Sequence, residues 1–308
     1  MIKKEITYPS KSKTCDIHAY IYYPEGKIIG IYQIIHGMQE YIGRYDEFAS
    51  FLCRHGYLVC GHDHLGHGKS VVDKSYYGYF CKDNPNEVLI EDAHELTRII
   101  KEKHPDVPYY LMGHSMGSFY ARQYLCRYGN ELSGAIIMGT GFQNKLSLMA
   151  GLFLTDLIAL FKGDRYRSKF IARMAFAGYN SHFKPLKTEV DYLSRNVENC
   201  QRYLKDEMCN FTFTLNGYHT IFTAISNLHK RSLLEKMPKE LPVLFVSGSE
   251  DPVGEYSKGV MRAIDSFKQV GMINIKYRFY KDDRHEILNE VDRETVYADI
   301  LNWLRGIC

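Results

Sequence analysis

The chain has 308 residues, of which 45% are hydrophobic and 24% are charged, the balance of a folded globular enzyme. A formal net charge of +3 and the lack of a long basic run argue against a nucleic-acid-binding protein. The length allows one large α/β domain, alone or with a substantial insertion.

The first 141 residues alternate predicted strands with predicted helices. Apolar runs predict strands over residues 17–23, 28–35, 57–60, 109–112 and 134–138. Apolar residues at helical spacing predict helices over residues 45–54, 88–103 and 116–128. Strands that alternate with helices of this length are typical of a mostly parallel, doubly wound α/β sheet.

This alternation stops after Gly141 and resumes near residue 242. Between these points the pattern predicts only helices, over residues 146–161, 170–176, 190–208 and 222–234. Strands are then predicted over 243–246 and 273–280, and helices over 257–270 and 293–305. We therefore predict a core formed by residues 1–141 and 242–308, interrupted by a helical lid insertion over residues 142–241.

Cysteine usage and hydropathy favour a cytoplasmic compartment. The eight cysteines show no metal-ligand spacing, and several lie in apolar runs, as Cys60 does, which is typical of reduced buried thiols. The first residues lack the apolar stretch of a signal peptide. The most apolar later stretch contains Ser147, Thr155 and Asp156 and falls short of a membrane span.

Ser115 stands at the centre of a strand–turn–helix pattern. Gly113 and Gly117 flank it, a predicted strand precedes it and a predicted helix follows. Glycines lack Cβ, so they let strand and helix approach closely enough for a sharp turn that exposes a serine nucleophile. A serine hydroxyl also needs a base within hydrogen-bond reach, and that base needs an orienting group.

Functional groups in such sheets lie beyond the carboxyl ends of the strands, so the partners of Ser115 are sought after the last two predicted strands. Asp251 follows the first of them and His285 follows the second. The order Ser115, Asp251, His285 is the chain order of a hydrolase triad. Three neighbouring carboxylates remain alternatives for the acid: Glu250, Asp282 and Asp283.

Three histidines and an aspartate within six positions have the chemistry of metal ligands. They are His62, Asp63, His64 and His67. Hydrolysis by a triad needs no metal, however, and a turn after a strand accounts for the segment. We predict that these side chains are satisfied within the fold, and we predict neither a metal nor a cofactor.

Short motifs along almost the whole core resemble those of one branch of the α/β-hydrolase superfamily, the serine aminopeptidase, monoacylglycerol lipase and lysophospholipase-like branch. The motifs are residues 36–40 (HGMQE), 44–45, 63–70, 113–117, 248–251 and 284–290. The resemblance implies an α/β-hydrolase fold with Ser115, Asp251 and His285 as the triad. It also implies that the backbone N–H groups of Met38 and Met116 form the oxyanion hole.

The resemblance further implies a hydrolase that cleaves carboxylic esters, of the monoacylglycerol or lysophospholipid kind, through an acyl-enzyme. Its partner is then a small-molecule acyl ester, with transient contact between lid and membrane surface left open. Apolar lid residues at helical spacing either line an acyl pocket or pack on the core: Met149, Leu152, Phe153, Leu157 and Phe161. The family often has glycine where this chain has Gln39. The glutamine could alter the conformation of the loop that carries Met38, so the assignment of Met38 to the oxyanion hole is less secure than that of Met116.

Two other functions remain open. An aminopeptidase of the proline iminopeptidase type shares the triad but must hold an α-amino group with lid carboxylates. The available ones are Glu189, Asp191, Glu198, Asp206 and Glu207. A non-catalytic binding protein on the same scaffold usually lacks a triad member, and this chain has all three.

Overall fold

An eight-stranded sheet runs through the computed structural model, which describes residues 1–307. The strands are β1 (Ile2–Pro9), β2 (Asp16–Tyr23), β3 (Gly30–Ile35), β4 (Tyr57–His62), β5 (Tyr109–His114), β6 (Gly134–Met138), β7 (Val243–Gly248) and β8 (Ile275–Tyr280). Their order is β1-β2-β4-β3-β5-β6-β7-β8. Strands β3 to β8 are parallel to one another, and β2 pairs antiparallel with both β1 and β4, so the prediction of a mostly parallel sheet is confirmed.

Ten α-helices lie within the described residues. They are α1 (Asp46–Arg54), α2 (Pro85–Lys103), α3 (Met116–Tyr128), α4 (Lys145–Lys162), α5 (Lys169–Ala175), α6 (Val197–Lys205), α7 (Leu215–Asn227), α8 (Arg231–Leu234), α9 (Lys258–Gln269) and α10 (Arg293–Arg305). Alternate side chains of a strand point to opposite faces of the sheet. Leu111 of β5 accordingly packs in the core with α2, α3 and α9, whereas Met112 packs in the core with α1 and α10.

Residues 142–241, here called the helical insert, contain α4 to α8 and, among the described residues, no strand. Helix α7 sends Tyr218, Ile221 and Ala224 into the same core as α2 and α3, so this part of the insert is fixed to the sheet domain. Helix α4 lies against α7, where a Cβ on Gly151 would meet the Phe222 ring at 2.9 Å. No helix in residues 1–307 is both long enough and apolar enough to cross a bilayer.

One strand and one helix differ from what the sequence predicts. Strand β1 escapes prediction because Tyr8 is its one buried residue, which leaves no alternation to detect. The helix predicted from residue 190 begins only at Val197. Before it, Asp191 accepts hydrogen bonds from two backbone N–H groups and forms a turn, and the Asn196 side chain caps α6.

The helix predicted over residues 222–234 is wrong at both ends. Helix α7 begins seven residues earlier, at Leu215, because the Thr214 hydroxyl accepts a hydrogen bond from the Gly217 N–H and caps it. It ends at Asn227, and α8 follows as a separate short helix. Apolar spacing detects the buried face of α7 but not the polar cap that sets its start.

Candidate active site

Ser115 lies on a tight turn between β5 and α3, with a backbone φ of +52°. The turn holds because the flanking backbones touch. A Cβ on Gly113 would lie 2.4 Å from the Gly117 carbonyl oxygen, and one on Gly117 would lie 2.1 Å from the Ile35 carbonyl oxygen. No larger residue fits at either position, so the two glycines hold Ser115 in a left-handed conformation that non-glycine residues rarely adopt.

The three residues predicted as a triad come together in one chain of hydrogen bonds. The His285 Nε2 lies 2.7 Å from the Ser115 Oγ, and the His285 Nδ1 lies 3.0 Å from both carboxylate oxygens of Asp251. Asp251 follows β7 and His285 follows β8, each at the carboxyl end of its strand. This is the geometry of a nucleophile, a base and a group that orients the base.

Asp251 is fully buried and well supplied with hydrogen-bond donors. Its Oδ1 accepts from the Val253 N–H at 2.9 Å and its Oδ2 from the Ser247 hydroxyl at 3.1 Å. Burial alone would raise the pKa of Asp251, but the adjacent His285 and these donors lower it below its ordinary value. The carboxylate is therefore held ionised, as a group that stabilises an imidazolium must be.

The alternative acids lie elsewhere. Asp283 is paired with Arg195 of the helical insert, and no hydrogen bond joins Glu250 or Asp282 to His285 among the described contacts. Of the four carboxylates that the spacing allowed, only Asp251 reaches the imidazole.

Met38 and Met116 border the space beside Ser115. Met116 is the first residue of α3, so its N–H has no carbonyl partner within the helix and is free to bind an oxyanion. Met38 lies in the loop after β3, where Gln39 has a φ of +57°. The structure thus brings both residues to the site, and their role in binding an oxyanion stays a prediction.

A cavity of about 870 Å³, including its mouth, lies over Ser115 between the sheet domain and the helical insert. The insert supplies most of its apolar lining: Leu148, Phe176, Leu193, Ile221, Phe222 and Ile225. An apolar cavity with a few convergent polar groups is typical of a site for a small molecule with a hydrophobic part.

The structure contradicts both expectations for the apolar stripe of α4, namely that it lines an acyl pocket or that it packs on the core. Met149, Phe153 and Phe161 are 63%, 65% and 76% exposed, so they neither line the cavity nor pack on the core. The buried face of α4 is instead formed by Leu148, with Gly151 and Thr155, whose small size admits α7. Periodicity identified the helix correctly but gave it the wrong buried face.

A buried ionic network forms the wall of the cavity beside His285. The Arg44 guanidinium forks onto the Glu286 carboxylate with two contacts of 2.7 Å, and it also lies 3.2 Å from Glu40. Asn199 of the insert donates to the same Glu286 carboxylate at 2.7 Å. The imidazole of His114, next to the nucleophile, lies 3.0 Å from Glu40.

Charge pairing fixes the protonation of this network. Burial would raise the pKa of Glu286, but Arg44 and Asn199 lower it to about 2. Burial would likewise raise the pKa of Glu40, which His114 and Arg44 lower. Burial depresses the pKa of His114, and Glu40 more than compensates, so that this pKa lies above its ordinary value. Both carboxylates are therefore ionised near neutral pH.

Sequence reasoning assigned no role to Glu40, Arg44 or Glu286, although all three fall inside the motifs of the resemblance. The available signal was their position, since Glu40 and Arg44 come shortly after Met38 and Glu286 directly follows His285, all beyond the carboxyl ends of strands. Asn199 could not be found in this way because it lies in the helical insert, far from any motif.

The imidazoles of His64 and His67, which follow β4, are buried and uncharged near neutral pH. Burial lowers the pKa of His64 to about 4 and that of His67 to about 3, and the His64 N–H donates to the ring of His36. The Asp63 carboxylate accepts from backbone N–H groups and lies 2.8 Å from His18.

Hydrogen bonds within the fold satisfy the Asp63 carboxylate and one ring nitrogen each of His64 and His67. Among the described residues both ring nitrogens of His62 are buried without a hydrogen-bond partner, so the prediction that all four side chains are satisfied is wrong for His62.

One acidic cluster has its ligand atoms close enough to share an ion: Asp283, Glu290 and Asp292. It is the one such group in residues 1–307. The Arg195 guanidinium lies among these carboxylates, hydrogen-bonded to Asp283 and 2.7 Å from Asp292. Arg195 thus supplies the positive charge, and the cluster ties the helical insert to the loop that carries His285.

Comparison with known proteins agrees with this architecture. The family model described as serine aminopeptidase, S33, matches residues 26–292. A monoglyceride lipase homolog of Monkeypox virus is 25% identical over 94% of this chain and 93% of its own length. The monoglyceride lipase of Rattus norvegicus is 25% identical over 88% of this chain and 82% of its own length.

A solved structure matches along the entire chain. A highly thermostable carboxyl esterase from Bacillus coagulans, in complex with glycerol, superposes with a TM-score of 0.92 and 30% sequence identity. The match covers 100% of this chain and 99% of that one.

The parallel sheet, with a serine on the turn after its central strand, defines an α/β-hydrolase. Within that class the chain belongs to the serine aminopeptidase S33 family, in its monoacylglycerol lipase-like branch.

The buried pair of Arg44 and Glu286 yields a prediction on stability. Glu286→Gln should lower the free energy of unfolding near neutral pH by about 3 kcal/mol, because it leaves the Arg44 charge underpaired. The pKa of Glu286 is depressed from 4.5 to about 2, so its contribution is complete above about pH 4.5 and is lost as the pH falls towards about 2. Urea unfolding of wild type and variant should therefore converge on acidification.

Glu235→Gln is the matched control, because Glu235 forms an exposed ion pair with Arg231 one helical turn away. It should change the free energy of unfolding by less than about 0.5 kcal/mol. A Glu286→Gln difference that is equally small, or that stays constant across the acidic range, would contradict the assignment.

Proposed function

We propose that the protein is a serine carboxylic ester hydrolase in which Ser115 is the nucleophile, His285 the base and Asp251 the group that orients it. The observation that carries this proposal is the unbroken hydrogen-bond chain from the Ser115 Oγ through His285 to Asp251 at the base of an apolar cavity. The carboxyl ester hydrolases and lipases among its relatives support the same reaction.

The first half of the reaction transfers the acyl group to the enzyme. The His285 Nε2 accepts the Ser115 proton as the Oγ attacks the ester carbonyl, and Asp251 stabilises the imidazolium that forms. His285 then returns the proton to the leaving alcohol oxygen, and the ester C–O bond breaks. Water repeats these steps on the acyl-enzyme, which releases the carboxylic acid and restores the serine.

The backbone N–H groups of Met38 and Met116 stabilise the negative oxygen of both tetrahedral intermediates. Each such donor contributes about 3 kcal/mol to the transition state in serine hydrolases. The contribution is this large because the donors are fixed in advance, Met116 by the start of α3 and Met38 by the loop after β3.

The cavity supports an ester with an apolar acyl chain. Its insert-derived walls are aliphatic and aromatic, whereas its charged groups gather at one side, around Glu40 and Glu286. A monoacylglycerol or a lysophospholipid has the matching division into a long apolar tail and a compact polar alcohol. Burial of each methylene of the tail contributes about 0.8 kcal/mol to binding.

The aminopeptidase alternative finds little support in the helical insert. Asp191 and Asp206 already accept hydrogen bonds, from Thr188 and from Tyr41 respectively, and neither lines the catalytic cavity. The carboxylates that do line it, Glu40 and Glu286, are paired with Arg44. Among the described residues that line this cavity, an α-amino group would therefore meet no unpaired carboxylate.

The exposed face of α4 supports contact between the helical insert and a lipid surface. Its apolar side chains recur at helical spacing and point to solvent: Leu146, Met149, Phe153, Leu157, Leu160 and Phe161. Lys145 and Lys162 stand at the two ends of the helix, and Lys169 begins the next one. Apolar residues flanked by lysines are suited to an anionic lipid interface.

Replacement of the nucleophile tests the reaction. Ser115→Ala should lower kcat by orders of magnitude, about 10⁶-fold in comparable triads, because no other group can form the acyl-enzyme. Circular dichroism and thermal unfolding should match those of the wild type, since alanine keeps the Cβ and removes only the hydroxyl. Hydrolysis of p-nitrophenyl esters is the measurement.

A fluorophosphonate probe identifies the reactive serine directly. It should label the wild type at Ser115 and leave the Ser115→Ala variant unlabelled. Ser147→Ala, at an exposed position of α4, is the matched control and should label as the wild type does. Ester turnover by a folded Ser115→Ala variant would overturn the proposal.

A substrate panel separates the esterase from the aminopeptidase. We expect kcat/KM for p-nitrophenyl esters to rise from acetate to medium and long acyl chains, because the cavity walls are apolar. Proline p-nitroanilide should not be turned over measurably. A sharp preference for acetate, or amide hydrolysis without ester hydrolysis, would contradict this assignment.

The lipid-facing helix is tested by removing one exposed ring. Phe153→Ser should lower partitioning onto phosphatidylglycerol vesicles by about tenfold, because it removes a large apolar side chain from the contact. Turnover of a short soluble ester should be unchanged. Ile273→Ser, at an equally exposed apolar residue before β8, is the control and should bind vesicles as the wild type does.

A further inference from the structure

Gln39 occupies a strained backbone position in the loop that carries Met38. Its φ of +57° lies in the left-handed region, which glycine and asparagine adopt far more readily than glutamine. Such strain persists only where surrounding contacts hold it, so the contacts of Gln39 are informative.

The Gln39 side chain spans the gap between the sheet domain and the helical insert. Its Nε2 donates a hydrogen bond to the backbone carbonyl of Phe211, and its Oε1 lies 3.5 Å from the Tyr203 hydroxyl. Both partners belong to the insert, and Gln39 itself is partly buried. The amide therefore connects the loop after β3 to a segment more than 160 residues later in the chain.

The segment that Gln39 contacts is itself firmly attached to the sheet domain. The Phe211 ring stacks on Tyr77 at 5.0 Å between centroids and on Phe213 at 5.8 Å. The Thr214 hydroxyl donates to the Gly78 carbonyl at 2.7 Å. Phe211 is thus a fixed point of the insert and can hold the loop in place.

Gln39 also stands where two cavities meet. It borders the catalytic cavity and also a second cavity of about 1270 Å³, lined mostly by residues of the helical insert. Tyr179, Tyr203 and Tyr218 line both as well. A substitution of Gln39 therefore changes the lining of the catalytic cavity but leaves the side chains of Ser115 and His285 unaltered.

We propose that Gln39 is a positioning residue that holds the Met38 N–H in place for the oxyanion through its hydrogen bond to Phe211. This inference rests on the proposed function, since it assumes that Met38 binds the developing charge. The helical insert then does more than cover the cavity, because one of its carbonyls fixes the geometry of the catalytic loop.

The role has a kinetic signature. The bound substrate has no oxyanion, and the negative charge develops only on the way to the tetrahedral intermediate. A displaced Met38 N–H therefore lowers kcat and leaves substrate binding nearly unchanged. Loss of one such donor costs 10²–10³-fold in kcat, and partial misplacement costs about tenfold or more.

Gln39→Gly and Gln39→Asn form the test pair. Both residues suit the positive φ better than glutamine does, but neither reaches the Phe211 carbonyl. We expect kcat for a p-nitrophenyl ester to fall by about tenfold or more in each variant, with KM within about twofold of the wild type. Thermal midpoints should stay within about 3 °C, because relief of strain offsets the lost hydrogen bond.

Inhibition by an alkyl boronic acid gives a second readout, because its tetrahedral adduct on Ser115 places an oxygen where the oxyanion forms. Its inhibition constant should rise in parallel with the fall in kcat. Gln201→Asn, at an exposed position of α6, controls for the shortened side chain and should leave kcat and the inhibition constant unchanged.

Wild-type kcat and boronic acid inhibition in both Gln39 variants would overturn the inference, as would a rise in KM with kcat unaltered. Failure of the proposed function looks different. In that case Ser115→Ala would retain activity, whatever the Gln39 variants do.

Discussion

The pairing of Arg44 with Glu286 and Glu40 is the interaction on which the site depends. It joins three stretches that are distant in the chain: the loop after β3, the loop after β8 that carries His285, and, through Asn199, the helical insert. Buried charges are tolerated only when they are paired, and a pair with a two-pronged geometry admits little movement. The same contacts that neutralise these charges therefore fix the loop that carries His285 relative to the loop after β3.

Two residues with a positive φ, Ser115 and Gln39, line the site, and different contacts surround each of them. Ser115 keeps its positive φ because Gly113 and Gly117 let neighbouring backbones touch, a constraint internal to the sheet domain. Gln39 keeps its positive φ beside a hydrogen bond to Phe211 of the helical insert. The turn at Ser115 thus depends on close packing within the sheet domain, whereas the loop at Gln39 has a contact with a distant part of the chain.

The sequence predicted those parts of the molecule that follow from the burial pattern of a single element or from the topology of the sheet. Strands such as β5 are buried on both faces and show as apolar runs, and α10 begins and ends where its amphipathic pattern does. Ser115, Asp251 and His285 were found because the sheet topology places strand ends together. Strand β1, the polar cap of α7 and the contact of Asn199 with Glu286 depend on tertiary partners that a single sequence does not display.

The helical insert is attached unevenly, and this limits how the cavity can open. Helix α7 is part of the core and the Phe211 segment is stacked on Tyr77, so swinging the whole insert outward would expose buried rings. Helix α4 contacts α7 on one side and solvent on the other. The insert is therefore attached to the sheet domain along α7, and α4 is attached to it through one face that packs on α7. A displacement of α4 alone would leave the ionic network beside His285 in place, because α4 contributes no residue to it, and would act on the apolar side of the cavity, where Leu148 lies.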